Sequence, residues 1–168
     1  MKRLGYGVSG AIGASLANLE KRVFLFEGDG GFAQNLQELS TVKINNLNIK
    51  FLLMNDRGYM SIKQNQKNAF NGNYIGCDSA SDLDMPDWEF VAKGFGINYF
   101  QLDQLSVNSS DFQNAFKLKD AIFLTYKLTP NKLIIRRLQA LKDLMGKWNQ
   151  TQSILWNHYL QKSKKKIH

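Results

Sequence analysis

Residues 23–31, Val23-Phe24-Leu25-Phe26-Glu27-Gly28-Asp29-Gly30-Gly31, carry an apolar run of strand length into a glycine turn that holds a carboxylate. A second apolar run, residues 49–54 (IKFLLM), closes on Asn55-Asp56. Both read as buried strands. In an open α/β sheet, ligands gather at the carboxyl ends of the strands. A carboxylate beside exposed backbone N–H groups at one such end, with further oxygen ligands at the next, makes a site for a metal-bound phosphate.

Outward from this pair, the pattern predicts alternating elements. Residues 8–18 (VSGAIGASLAN) are rich in small side chains, with Ile12 and Leu16 four apart, and read as a closely packed helix. Residues 35–45 place Leu36, Leu39 and Val42 at helical spacing, with Ile44 as a further candidate for the same side. Residues 61–84 are polar, with glycines and asparagines, and read as a long loop containing about one helical turn. Pro86-Asp87-Trp88-Glu89 opens a helix that Gly94 and Gly96 end. Residues 97–102 and 121–127 read as strands and 110–118 as a short helix. Strands alternating with helices indicate a three-layer α/β domain with a mostly parallel sheet flanked by helices.

The 168 residues are 43% hydrophobic and 12% aromatic, enough for a real core. Cys77 is the only cysteine, which excludes an intramolecular disulfide and a thiolate metal cluster and fits a reducing compartment. No run approaches the ~18 apolar residues that span a membrane, and no secretory signal is legible, so the reading is cytoplasmic. The net charge of +8 is confined to one end. Residues 1–129 hold 13 Lys+Arg and 13 Asp+Glu, whereas residues 130–168 hold nine Lys+Arg against Asp143. A uniformly basic nucleic-acid surface is not what this describes. The division predicts a domain over 1–129 and a basic amphipathic helical tail over 130–168, with Ile134, Leu138, Leu141, Met145 and Trp148 on one face. A second apolar cluster, Ile154-Leu155-Trp156 with Tyr159-Leu160, precedes the lysines at 162 and 164–166. The tail reads as a helical extension packed on the domain or a partner, as a basic patch, or as unrelated sequence following a disrupted gene. His158 and His168 lie in it and are not credible bases.

Two glycine motifs compete. Gly5-Tyr6-Gly7-Val8-Ser9-Gly10 matches GxGxxG, with Glu27 roughly where a ribose-binding acid would stand. The dinucleotide fingerprint needs a strand immediately before its first glycine, and only four residues precede Gly5. Gly28-Asp29-Gly30-Gly31 fares better. Mg²⁺ commonly binds through one or two carboxylates plus phosphate oxygens. Asp29 supplies a charge, the N–H groups of Gly30 and Gly31 can approach a phosphate, and the following helix would point its positive end there. The bland alternative is a plain strand-to-helix turn.

The wider pattern is specific. GDG, about two dozen residues, then Asn or a close substitute resembles the signature of thiamine-diphosphate enzymes. LGYGVSGAIGASLA, QNLQELSTV, NDRGYMSIKQNQ and PDWEFVAKGFGINYF resemble, in order, segments of the acetolactate synthase and pyruvate decarboxylase superfamily, over roughly residues 4–128. The resemblance implies a diphosphate-binding domain of an acetolactate synthase-like enzyme, a transferase or lyase acting on 2-keto acids. It implies Asp29 and Asp56 as side-chain ligands of Mg²⁺, with Gly58 adding its carbonyl. Gly28, Gly30 and Gly31 would line the diphosphate, Asn55 matches the first Asn of the usual pair, and Leu4 stands where a bulky residue bends the cofactor.

The departures are Asp56 for Asn, Gly31 where many relatives have serine, Glu27 beside the motif, and Lys2-Arg3 before Leu4. Glu38 matches the family's Gln-Glu pair and reads as structural. The front of the domain and the pyrimidine-binding domain are not recognisable here. An active site would therefore need a pyrimidine-domain-bearing chain or a homo-oligomer partner, and the chain alone reads as inactive. Two alternatives stay open: a non-catalytic remnant of a truncated enzyme, and a dinucleotide-binding domain.

Overall fold

The computed structural model describes residues 4–102, 109–127 and 153–155. In chain order the elements are α1 (Tyr6–Ala17), β1 (Val23–Gly28), α2 (Asp29–Phe32) running into a 3-10 segment (Ala33–Glu38), and α3 (Leu39–Ile44). There follow β2 (Ile49–Asn55), α4 (Met60–Ala69), a 3-10 turn (Ser79–Ser81), α5 (Trp88–Gly94) and β3 (Asn98–Leu102). The last are α6 (Ser110–Lys117), β4 (Ile122–Lys127) and β5 (Ser153–Leu155). The strands form one sheet in the order β3-β4-β2-β1-β5, and every pairing is parallel.

β2 occupies the middle of that sheet, and its first six residues are all buried. This is why its sequence, apart from the buried Lys50, runs apolar without alternation. Its neighbours fix the register, with Leu25 opposite Phe51 and Phe51 opposite Phe123. On one face, Val23, Leu25, Ile49, Phe51, Leu53 and Phe123 meet Val8, Ala11 and Ile12 of α1, Leu39 and Val42 of α3, and Trp88 and Ala92 of α5. On the other, Phe24, Leu52, Met54 and Leu124 meet Phe112 and Phe116 of α6. The expected three-layer α/β arrangement is thus what the chain forms.

Parts of the sequence reading need correction. Residues 60–69 form a ten-residue helix, not a loop with one turn. None of its residues is buried, so it carries no apolar stripe and leaves no periodic trace in the sequence. The helix expected over 35–45 is interrupted: Asn35 leaves helical geometry at φ −136°, and the chain passes from α2 through a 3-10 segment to α3. Ile44 is 80% exposed and Leu16 of α1 half-exposed, so neither belongs to the core. α5 begins where expected, because the Asp87 carboxylate accepts the N–H groups of Glu89 and Phe90 at 2.9 and 3.2 Å. The helix expected over 134–148 lies outside the described residues. In the tail the described part, Ser153–Leu155, is a strand beside β1.

Candidate functional site

β1 and β2 are adjacent and parallel, so their carboxyl ends bring Gly28–Gly31 beside Asn55–Gly58. Asp29 is the first residue of α2 and is only 1% exposed. Its Oδ1 accepts the Gly30 N–H at 2.8 Å and its Oδ2 accepts the Gly58 N–H at 3.1 Å, so one carboxylate ties the two turns together. Burial pushes its pKa up to about 6, the backbone N–H groups of Gly58, Gly30 and Arg57 oppose that rise, and the neighbouring Asp56 charge adds to it. A buried carboxylate held ready by N–H donors, with a second carboxylate beside it, is a place that lacks positive charge.

The second turn is built locally. Asn55 ends β2 and its Oδ1 accepts the Arg57 N–H at 3.2 Å, a turn that sends Arg57 to a φ of +57°. Asp56 between them is half-buried. Gly58 is required by contact: a Cβ there would lie 2.1 Å from the Cys77 carbonyl oxygen. That carbonyl accepts the Tyr59 N–H at 2.8 Å, and Gly58 and Asp78 form an antiparallel bridge. The Ser81 hydroxyl receives the Cys77 and Asp78 N–H groups, each at 3.0 Å, and Asp78 is ion-paired with Lys63 of α4. The loop after α4 is therefore a brace behind the turn.

The glycine turn is equally enclosed. Gly30 and Gly31 are buried, and a Cβ on Gly30 would meet the Tyr59 ring at 2.4 Å. Gly28 has open space around it and is exposed. α2 has only four residues, so what it presents is individual first-turn amides, not the long helix dipole that the sequence suggested. Leu4 lies in the turn before α1 and is 53% exposed. Gly5 follows in left-handed geometry at φ +78°, and its carbonyl accepts a hydrogen bond from the Asn35 side chain. Glu38 accepts the Thr41 hydroxyl at 3.2 Å.

Glu27, Tyr59, Cys77 and Asn35 shape the site without having been nominated for it. Glu27 is 7% exposed and turned inward, so it does not present itself to a ribose, and burial raises its pKa to about 7. Among the described residues no three His, Cys, Asp or Glu side chains converge as a metal cage. Any metal held by Asp29 and Asp56 would need ligand oxygens from a bound phosphate as well.

The family model described as "Thiamine pyrophosphate enzyme, C-terminal TPP binding domain" matches residues 1–125. The chain belongs to this thiamine pyrophosphate enzyme family. It is 30% identical over 129 residues to the acetolactate synthase large subunit of Porphyra purpurea, covering 77% of this chain and 22% of that protein. It is 31% identical over 100 residues to the acetolactate synthase isozyme 1 large subunit of Escherichia coli (strain K12), covering 60% and 17%. Its fold is similar to that of a thiamine diphosphate-dependent 4-hydroxybenzoylformate decarboxylase from Rhodococcus jostii RHA1, with a TM-score of 0.65 and 20% identity over 75% of this chain and 23% of that one. The chain thus spans about a fifth of the length of the curated relatives it matches. Family membership and the parallel α/β fold agree with the sequence reading.

Proposed function

We propose that the chain binds Mg²⁺ and the diphosphate of thiamine diphosphate as part of an acetolactate synthase-like enzyme acting on 2-keto acids, with the aminopyrimidine held by a domain on another chain. The observation that carries this reading is the Asp29 carboxylate, buried at the end of β1, gripped by the Gly30 and Gly58 N–H groups and placed beside Asp56. The donor set fits the group. Two carboxylates match a hard cation, and the phosphate oxygens would complete its shell. Gly28 and Gly31 would bring backbone N–H groups to the diphosphate, Gly30 would line it while its N–H holds Asp29, Asn55 keeps the second turn in shape, and the Gly58 carbonyl would add a neutral oxygen. When bound, thiamine diphosphate supplies the electron sink for making or breaking a carbon–carbon bond next to a carbonyl.

The requirement for a partner has its own support. α4 leaves the metal turn directly, buries none of its ten residues, and exposes Met60 and Ile62 by more than a third. Phe70, Tyr74 and Ile75 continue that exposed apolar series in the loop behind it. Large apolar side chains gathered beside a ligand site are characteristic of a surface that another protein covers.

Calorimetric titration of the full chain with Mg²⁺ and thiamine diphosphate, alone and with a pyrimidine-domain chain, tests the reading. Saturable binding that requires Mg²⁺ and that Asp29→Ala abolishes is the expected result. No binding in either format would favour the non-catalytic remnant instead.

A further inference from the structure

We propose that Glu27 is the positioning residue of the glycine cradle: its carboxyl occupies the side-chain space of both Gly7 and Gly31 and so sets the gap between the start of α1 and the GDGG turn. This inference rests on the thiamine diphosphate reading above and extends it to a residue outside the ligand set. A Cβ on Gly7 would lie 1.9 Å from Oε2 of Glu27, and one on Gly31 would lie 2.8 Å from Oε1. The carboxyl group thus stands between the two glycines, with both oxygens against Gly7 and Oε1 also against Gly31.

A terminal carboxyl ordinarily swings aside to admit a methyl group. Here the swing is blocked, because moving off one glycine presses it toward the other. The start of α1 cannot retreat either, since the Asn35 side chain holds the Gly5 carbonyl and Gln34 lies against Gly5. Among the described residues no hydrogen bond explains the placement: Oε2 is buried with no partner among them, a state that costs stability. What the side chain does contribute is volume, between the two glycine segments.

Two consequences follow for the cradle. At Gly31 the diphosphate meets backbone only, because a serine hydroxyl at that position has no room while Glu27 stands behind it. The Gly31–Glu27 pair must also change together: a side chain at 31 is admitted when residue 27 is shortened.

The test uses the full chain and four proteins: the unaltered chain, Gly31→Ser, Glu27→Ala and the double variant. Each is measured for its melting temperature and for its affinity for Mg²⁺–thiamine diphosphate in the presence of a pyrimidine-domain chain. Gly31→Ser alone is expected to lower the melting temperature and to weaken the cofactor at least tenfold. In the Glu27→Ala background the same substitution is expected to cost little in either measurement. Glu27→Ala by itself should leave the melting temperature unchanged or higher, by removing the orphan carboxyl, yet weaken cofactor binding several-fold. Glu27→Gln, which keeps the volume, should bind as the unaltered chain does. Equal losses from Gly31→Ser in both backgrounds overturn the proposal, as does unaltered cofactor affinity in Glu27→Ala. If the unaltered chain binds no cofactor, the functional reading fails; the spacer then stands if the melting temperatures are coupled and falls if they add.

Discussion

Asp29 and Lys50 are two buried ionisable groups at opposite ends of the same sheet, and they are handled differently. Asp29 keeps its carboxylate at the carboxyl end, where ligand charge can offset it. Lys50, the second residue of β2, is fully buried at the amino end, and its Nζ donates to the Leu118 carbonyl at 3.0 Å and to the Asp120 carbonyl. Burial first, then the nearby Arg22 charge, lowers its pKa to about 7, against a smaller opposite pull from Asp120. The unfolded chain therefore binds the extra proton between about pH 7 and 10.5, so folding stability should rise with pH through that window. The gain is on the order of a few kcal/mol. Lys50→Met should flatten this rise in urea denaturation at pH 7 and 9; an unchanged slope would show that Lys50 does not cause it.

At this scale the meeting of the Asp29 and Gly58 turns was legible because it depends only on where strands end. Asp29 and Gly58 had to meet once β1 and β2 were neighbours. Glu27 and Tyr59 were not legible as cradle walls, since their roles depend on which way a missing Cβ would point across a turn. No spacing in the sequence encodes that direction.

Among the elements, β1 to β4 were readable almost to the residue, because burial leaves mostly apolar runs at residues 49–54 and 121–127, whereas β5 falls in a tail read as helical. α4 was not, for the opposite reason: SIKQNQKN carries no buried side and hence no period. The proposed partner surface would lie on this helix, which follows directly from the Asn55–Gly58 turn. Ile62→Gln should change the chain's own stability by no more than about 0.5 kcal/mol, as surface substitutions do. The same change should weaken assembly with a pyrimidine-domain chain by tenfold or more, read by analytical ultracentrifugation. A large loss of intrinsic stability with unaltered assembly would place Ile62 in this chain's own core.

For the molecule as a whole, the three-layer arrangement was legible because each βα alternation leaves few ways to stack. The broken helix between β1 and β2 was not, because the kink at Asn35 answers to the distant Gly5 carbonyl and not to its neighbours in sequence. That tether crosses 30 residues and makes the site a property of the assembled fold. Phe32 extends the same connection inward. It is 1% exposed and meets Phe51, Trp88 and Phe123 edge-on at centroid distances of 5.0–5.8 Å.

Because Phe32 closes α2, the GDGG turn is bolted to the aromatic cluster of Phe51, Trp88 and Phe123. Opening it locally would pull that ring out of contact with three others. Amide deuterium exchange should therefore find Gly30 and Gly58 protected almost to the free energy of global unfolding, with rates that follow denaturant steeply. The amides of Met60–Ala69 should exchange through much smaller openings, insensitive to denaturant. Should Gly30 exchange as readily as α4, the turn would be a moving part. Phe32 predicts the opposite: the GDGG turn is among the last parts of the chain to let go.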